Sequence, residues 1–187
     1  GTMPFSNLAA RRLAGVDLRG IGSGTVSGTG LYEVTGFGPL AVVGCLELAK
    51  GAFGPVLAGR HRRRLAAGAA FAGICGHNWS PWLGWSGGRG LSPALGAGLV
   101  LAPEATATLG LGLGAGRIAR HTGLSCGLGL AALFPLLSRT RGRDGTAVAL
   151  AIALPLAVKR LTGNGRPKPG SPRSVYLSRL LLDRDER

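Results

Sequence analysis

The stretch Gly76-His77-Asn78-Trp79-Ser80-Pro81-Trp82-Leu83-Gly84-Trp85-Ser86-Gly87-Gly88-Arg89-Gly90 lies between two apolar runs and concentrates the polar chemistry of the chain. Backbone amides in Gly87-Gly88-Arg89-Gly90 can crowd around an anion while the Arg89 guanidinium neutralises it, which is how a phosphate is held. Tryptophan favours the boundary between bilayer and water because its ring is amphipathic, so the stretch reads as a phosphate site at a membrane surface. His77 stands at its apolar margin, suited either to donate to a substrate or to order the loop. A second polar feature is Glu47 and Lys50, which at i and i+3 share a helix face and can pair. Each would cost about 3 kcal/mol at a lipid-facing helix centre, so the pair is expected to face the bundle interior, as a functional pair or as a packing pair.

The elements that would hold these groups are those of an all-α integral membrane protein. Of 187 residues, 45% are hydrophobic and only 16% charged, and 34 are glycine, scattered among Leu, Ala and Val without a collagen period. Mean hydropathy is +0.27. Small residues in such numbers suit helices whose backbones approach closely in lipid. The net charge of +14 would suggest nucleic acid in a soluble protein, but the basic residues form short clusters between apolar runs and no nucleic-acid-binding signature accompanies them. Nucleic acid is therefore not an expected partner, whereas membrane lipids are. Cys45, Cys75 and Cys126, odd in number and each in an apolar setting, read as buried free thiols, and no Cys/His spacing suits a metal.

Apolar runs predict helices over 40–58, 65–75, 122–138 and 145–158, and two short ones within 91–116 divided at Pro103-Glu104. Residues 1–14 read as the trailing end of a truncated first membrane helix, and 17–30 as a glycine-rich loop. Residues 1–162 are expected to form the bundle. Residues 163–187 are expected to form a basic Pro/Gly linker and an amphipathic helix with Tyr176, Leu177, Leu180 and Leu181 on one face and Arg179 and Arg184 elsewhere. With this order of spans, one side carries fourteen Lys and Arg and the other seven, which predicts that the glycine-rich loops face the cytoplasm.

The chain resembles the bacterial acyl-phosphate–glycerol-3-phosphate acyltransferases almost end to end. Gly1-Thr2-Met3-Pro4-Phe5 is similar to that family's G-S-I-P-F, and Asp17-Leu18-Arg19-Gly20-Ile21-Gly22-Ser23-Gly24 to its D-I-R-x-x-G-S-G. Glu47-Leu48-Ala49-Lys50-Gly51 matches D-x-x-K-G. Gly76-His77 through Gly87-Gly88-Arg89-Gly90 matches G-H-x-F-P…G-G-K-G without a gap, and Arg179-Leu180-Leu181 with Asp185-Glu186 is similar to R-L-L-x-G-x-E. The resemblance implies about seven helices, some short, around a cytoplasm-facing site in the bacterial inner membrane. It also implies transfer of a fatty acyl group from acyl phosphate to the sn-1 hydroxyl of glycerol 3-phosphate, without a cofactor. In that reading Ser23, His77 and Arg89 serve catalysis, while Gly24, Thr25, Gly87, Gly88, Gly90 and Arg173 bind substrate phosphate. Two departures stand out: Glu33 replaces the arginine expected to meet phosphate, and Arg173 and Tyr176 fall where the family has H-x-x-N. They leave two alternatives open, a different acceptor and a non-catalytic lipid-binding protein of the same fold. The residues make chemical sense of the reaction independently. An acyl phosphate is already activated, so the protein must only hold two phosphates close together and stabilise the charge that develops on the acyl oxygen. Neither an H-x4-D acyltransferase motif nor a Ser-His-Asp spacing competes with this.

Overall fold

A computed structural model describes residues 1–22, 24–59, 61–164, 175–176 and 178–179. Ser23, Arg173, Leu177, Leu180, Leu181 and Arg184–Glu186 lie outside the described residues. The described chain is all helix, with no strand among the described residues.

α1 (Phe5–Ala14) stops at Gly15, whose left-handed φ of 70° returns the chain toward the carbonyls of Ala10 and Arg11. A 3-10 turn (Leu18–Gly20) follows, capped by the Asp17 carboxylate, which accepts from the Arg19 amide. α2 (Gly28–Thr35) is capped by Ser27, whose Oγ accepts from Gly30 N at 3.1 Å. The order continues with α3 (Phe37–Ala58), α4 (Arg63–Asn78), a 3-10 turn (Pro81–Leu83), α5 (Leu91–Leu101), α6 (Pro103–Ile118) and α7 (Thr122–Thr162). Proline opens α6 because its missing N–H would have no intrahelical partner there.

α7 is not one rod. Gly142, with φ 57° and ψ −138°, breaks it, and the two arms return antiparallel. Near the open end Arg160 Nη1 donates to Gly123 O at 2.9 Å, and near the bend Gly145 lies directly against the Leu137 carbonyl. Each arm has about the twenty residues that cross a bilayer. With α1 and α3–α6 the two arms make the expected set of about seven membrane helices. α3 and α7 are the two described helices long and apolar enough by themselves to cross a membrane.

The structure differs from the sequence expectation at several boundaries: the stretch 17–30 is not all loop, since it holds the 3-10 turn Leu18–Gly20 and the start of α2 (Gly28–Thr35), for which no helix was expected. α3 starts at Phe37, not at 40; α4 runs from Arg63 to Asn78, so Gly76, His77 and Asn78 belong to a helix and not to the loop after it; and the charged stretch 139–144 stays helical except at Gly142.

Glycine sets the closest helix contact. A Cβ on Gly51 of α3 would lie 2.0 Å from Pro93 O, and one on Gly96 of α5 would lie 1.9 Å from Leu48 O. Backbone therefore touches backbone where α3 crosses α5. Gly96→Val is expected to cost about 1–3 kcal/mol by overpacking, read as a lower midpoint of thermal unfolding in detergent. Phe37, Phe53, Leu57, Leu111 and Ile118 are exposed on the outside of the bundle, the surface a bilayer would cover, and Cys45 of α3 lies on that outer surface too, so that of the three thiols expected to be buried only Cys126 is fully so. Trp82 and Trp85 project at the loop end, 69% and 68% exposed, as interfacial anchors do.

Under the loops lies a small core of Ala10, Leu18, Val26, Leu31, Val43 and Leu83. Asp17 fastens its rim. It takes Arg19 Nη2 at 2.7 Å and also pairs with Arg11, while Arg19 Nη1 reaches Leu83 O at 3.3 Å. The Arg19 hydrogen bonds, helped by Arg11, hold the Asp17 carboxyl well below the usual carboxylate range. Because the folded value is depressed, this stabilisation is complete above the unfolded carboxyl's pKa of about 3.9 and is lost as pH falls through the folded value. The stability advantage of the parent over Asp17→Asn should therefore be constant above about pH 4 and shrink as pH falls below it, which an acid titration of unfolding reads.

Candidate functional site

The site is assembled from the C-terminal end of α4, the segment before α5, the loop before α2, and the residues that end α7. Asn78, fully buried, donates from Nδ2 to Pro155 O at 2.9 Å and so ties α4 to the return arm of α7. That tie brings Lys159 under the loop, 1% exposed, with its ammonium 5.3 Å from the Trp79 ring centroid.

The two loops singled out by sequence meet here. Asn164 Nδ2 lies 3.0 Å from Gly87 O, 3.3 Å from Gly24 O and 3.4 Å from Thr25 Oγ1, and its Oδ1 accepts from Gly87 N at 3.3 Å. Val26 N adds a direct bond to Gly87 O at 3.2 Å. Gly24, Thr25, Gly87, Gly88, Arg89 and Gly90 are thus on one end of the bundle, joined by one side chain.

Gly87 and Gly88 must be glycine for steric reasons. A Cβ on Gly87 would fall 2.3 Å from His77 O, and one on Gly88 would fall 2.1 Å from His77 Nε2 and 2.8 Å from Val26 O. Their amides are also engaged, Gly87 N with Asn164 and Gly88 N with His77 O at 3.3 Å. This changes the sequence reading in which those two amides face the anion. The donors nearest the loop are instead the Leu91 and Ser92 amides that open α5, which starts after Gly90 (φ 77°) with no side-chain cap; Pro93 has no N–H, and Ala94 N bonds Gly90 O at 3.0 Å. Uncapped helix amides and the helix dipole favour an anion, and the partly buried Arg89 is next to them in sequence.

Beneath the glycines is a buried charge cluster. Glu47, 3% exposed, pairs with Lys50, and its Oε2 is 3.1 Å from His77 Nδ1. Lys50 Nζ is 2.9 Å from His77 Nδ1 and donates to Met3 O at 2.9 Å. The i,i+3 pair does face the bundle interior, and His77 is its third member. The placement of His77 fits loop ordering: its ring backs Gly88 and its carbonyl holds the Gly88 amide. Among the described residues no group of His, Cys, Asp and Glu could hold a metal ion.

Sequence reasoning missed Lys159 and Asn164. Lys159 falls one residue past the helix expected over 145–158, and Asn164 falls in the stretch expected to be a linker. Glu33 is exposed on α2. Val175 is buried, and Arg179, 2% exposed, donates to Thr162 O at 3.1 Å, so Arg179 lies against the end of the bundle.

An all-α membrane bundle that presents two glycine-rich loops and an uncapped helix start at one end is the framework of a membrane enzyme acting on phosphorylated substrates. The family model described as glycerol-3-phosphate acyltransferase matches residues 1–164, and the chain belongs to that family. Among curated relatives, the glycerol-3-phosphate acyltransferase of Synechococcus sp. (strain CC9902) is 37% identical over 161 residues, covering 84% of this chain and 80% of that protein. That of Parasynechococcus marenigrum (strain WH8102) is 34% identical over 181 residues, covering 91% and 85%. The fold is shared with the crystal structure of an integral membrane glycerol 3-phosphate acyltransferase in its glycerol 3-phosphate form, at a TM-score of 0.71 and 22% identity over 88% of this chain and 90% of that one. The lysophosphatidic acid form of the same enzyme gives a TM-score of 0.70 at 21% identity, covering 88% of each chain. The family match ends at Asn164, so the terminal R-L-L resemblance at 179–186 lies beyond it.

Proposed function

We propose that the protein transfers a fatty acyl group from acyl phosphate to the sn-1 hydroxyl of glycerol 3-phosphate, giving lysophosphatidate and inorganic phosphate, at the cytoplasmic face of the bacterial inner membrane. The observation that carries this reading is Asn164, which sets the Gly24-Thr25 loop against the Gly87–Gly90 segment at the start of α5. Two phosphate-binding segments held together suit a reaction between two phosphorylated molecules.

The hydroxyl oxygen of glycerol 3-phosphate attacks the acyl carbon, the bond from that carbon to the phosphate oxygen breaks, and the departing phosphate takes the hydroxyl proton. No covalent enzyme intermediate is required, so the chain's work is positioning and charge stabilisation. Arg89 and the Leu91 and Ser92 amides take one phosphate; Gly24 and Thr25 line the other, and Ser23, which precedes them in sequence, is the catalytic candidate of that loop. Gly87, Gly88 and Gly90 let the backbone approach, and His77 supports them from beneath. Arg173 is the remaining candidate for the acceptor phosphate. The acyl chain runs into the bilayer between the small-residue helices.

The test is turnover of the purified full chain in liposomes with acyl phosphate and labelled glycerol 3-phosphate. Labelled lysophosphatidate is expected, and Arg89→Gln should lower its rate by about 10–100-fold, the weight of one charge-assisted contact to a phosphate. Acyl transfer to another acceptor but not to glycerol 3-phosphate would favour the reading that Glu33 suits a non-phosphorylated acceptor. No acyl-phosphate binding at all would leave a lipid-binding protein.

A further inference from the structure

The end of the bundle away from Asn164 carries charge that the proposed chemistry does not use. There α3 ends before Gly59, α4 begins at Arg63, α5 ends at Leu101, α6 begins at Pro103 and α7 bends at Gly142. Arg62, Arg63, Arg64, Arg139, Arg141 and Arg143 gather at these ends, with Glu104 and Asp144 as the acidic residues of the same described segments. Arg141 is already satisfied: it forks onto Glu104, with Nη2 2.9 Å from Oε2, and its Nη1 donates to Leu101 O at 3.1 Å. Arg64 only approaches Asp144, at 3.9 Å. Arg63 has no ion pair among the described residues.

Between these helix ends is a cavity of about 280 Å³, lined by Pro55, Ala66, Leu99 and Pro103 with Arg63 and Arg141 among the remaining lining groups. It lies about 20 Å along α4 from Asn78, given 1.5 Å of rise per residue, so it is separate from the loop site. The wall of the cavity is part aliphatic and part polar, with the Arg63 and Arg141 side chains in its polar part. Val56, Leu57 and Leu99 around it are 60%, 70% and 55% exposed, a surface that faces hydrocarbon in a membrane. The volume is small for a whole amphiphile and suits a headgroup with its first methylenes. A free anion would gain nothing from the aliphatic wall, and a neutral lipid nothing from the surplus of arginine.

The geometry points to a site for one anionic phospholipid of the leaflet opposite the glycine-rich loops, with its phosphate on Arg63 and its chains along the exposed faces of α3 and α5. Arg141, held by Glu104, shapes the wall. The lipid supplies the negative charge that this arginine-rich end lacks and ties α3, α4 and α5 together from the far side.

The test uses the full chain purified in non-ionic detergent, with phosphatidylglycerol or phosphatidylcholine titrated back and bound lipid counted by native mass spectrometry. One phosphatidylglycerol is expected per chain, preferred about fivefold over phosphatidylcholine, the contribution of one basic residue near an anionic lipid. Arg63→Gln should remove the preference while acyl transfer stays at the parent rate. Leu99→Trp, which fills the cavity from its lipid side, should reduce retention of both lipids. Equal retention of the two lipids by the parent would overturn the inference. So would a preference that survives Arg63→Gln but falls with Arg89→Gln, which would place the lipid at the other end, or displacement by soluble glycerol phosphate, which would make the site a reader of phosphate alone. Arg63 is exposed, so its variant tests the site even if Leu99→Trp fails to fold.

Discussion

Asn164→Ala is expected to give a folded protein whose acyl transfer is about a hundredfold slower, because a misplacement of order 1 Å between reacting groups has that effect. Asn164 bonds Gly87 through both its amide oxygen and its amide nitrogen, at 3.3 and 3.0 Å, and reaches Gly24 O with the same nitrogen at 3.3 Å. Net worth per bond is about 0.5–1.5 kcal/mol, and these three, at 3.0–3.3 Å and shared by one nitrogen in two cases, fall at the low end, so stability should fall by about 1.5–2 kcal/mol, a thermal shift of a few degrees. The rate should suffer more than stability, since the lost bonds set the spacing of the two loops and not the packing of the bundle. Asn164→Asp separates positioning from size. It keeps an acceptor for the Gly87 amide but sets a carboxylate against the Gly24 and Gly87 carbonyls and adds negative charge beside the phosphates, so it should be slower than the alanine variant. Initial rates of lysophosphatidate release, measured beside thermal melts, check both. A parent-like rate for Asn164→Ala would mean that the bond from Val26 N to Gly87 O holds the loops unaided, and the positioning argument would fail.

Much of this architecture was legible because its causes are local. Pro103 cannot donate into a preceding helix and so divides 91–116, and the structure divides the segment there. The Glu47–Lys50 pair follows from helical spacing and from the cost of leaving either charge in lipid. The bend in α7 was placed in a charged loop, yet it occupies one glycine. The flanking residues stay helical, and Arg141 is held from outside by Glu104 and Leu101 O, contacts 37 and 40 residues away that no local pattern contains. His77 looked like a loop residue because Gly76 and Trp79 flank it; Asn78 keeps the helix going to that point by bonding Pro155 O across the bundle. Asn164 was the least legible. It stands where a Pro/Gly-rich linker begins, and its partners are 77 and 140 residues away in sequence. Arg179 was placed off the apolar face by periodicity, which reports the faces of a helix but not the surface each one meets, and its guanidinium donates to Thr162 O.

Glu47→Ala is expected to destabilise the protein by about 3–5 kcal/mol, the cost of breaking a buried ion pair from one side. The carboxylate, 3% exposed, is paired with Lys50 and lies 3.1 Å from His77 Nδ1. Without it the Lys50 ammonium, 2.9 Å from His77 Nδ1 and 5.5 Å from the Phe5 ring centroid, has a carbonyl and an aromatic face but no counter-charge. Glu47→Gln keeps the volume and should fall between the alanine variant and the parent. The double variant Glu47→Gln/Lys50→Met removes both charges and should recover most of the stability, giving a coupling of about 1–3 kcal/mol in thermal or denaturant unfolding. The rate decides what the cluster is for. His77 supports the glycine loop through its carbonyl, which accepts from Gly88 N, and through its ring, which leaves no room for a side chain at Gly88. Neither contact needs the charges, so acyl transfer by the double variant should return with its stability. If stability returns and turnover does not, then the buried charges act on the substrate or its phosphate, and Glu47, Lys50 and His77 belong to the reacting centre and not to the floor beneath it.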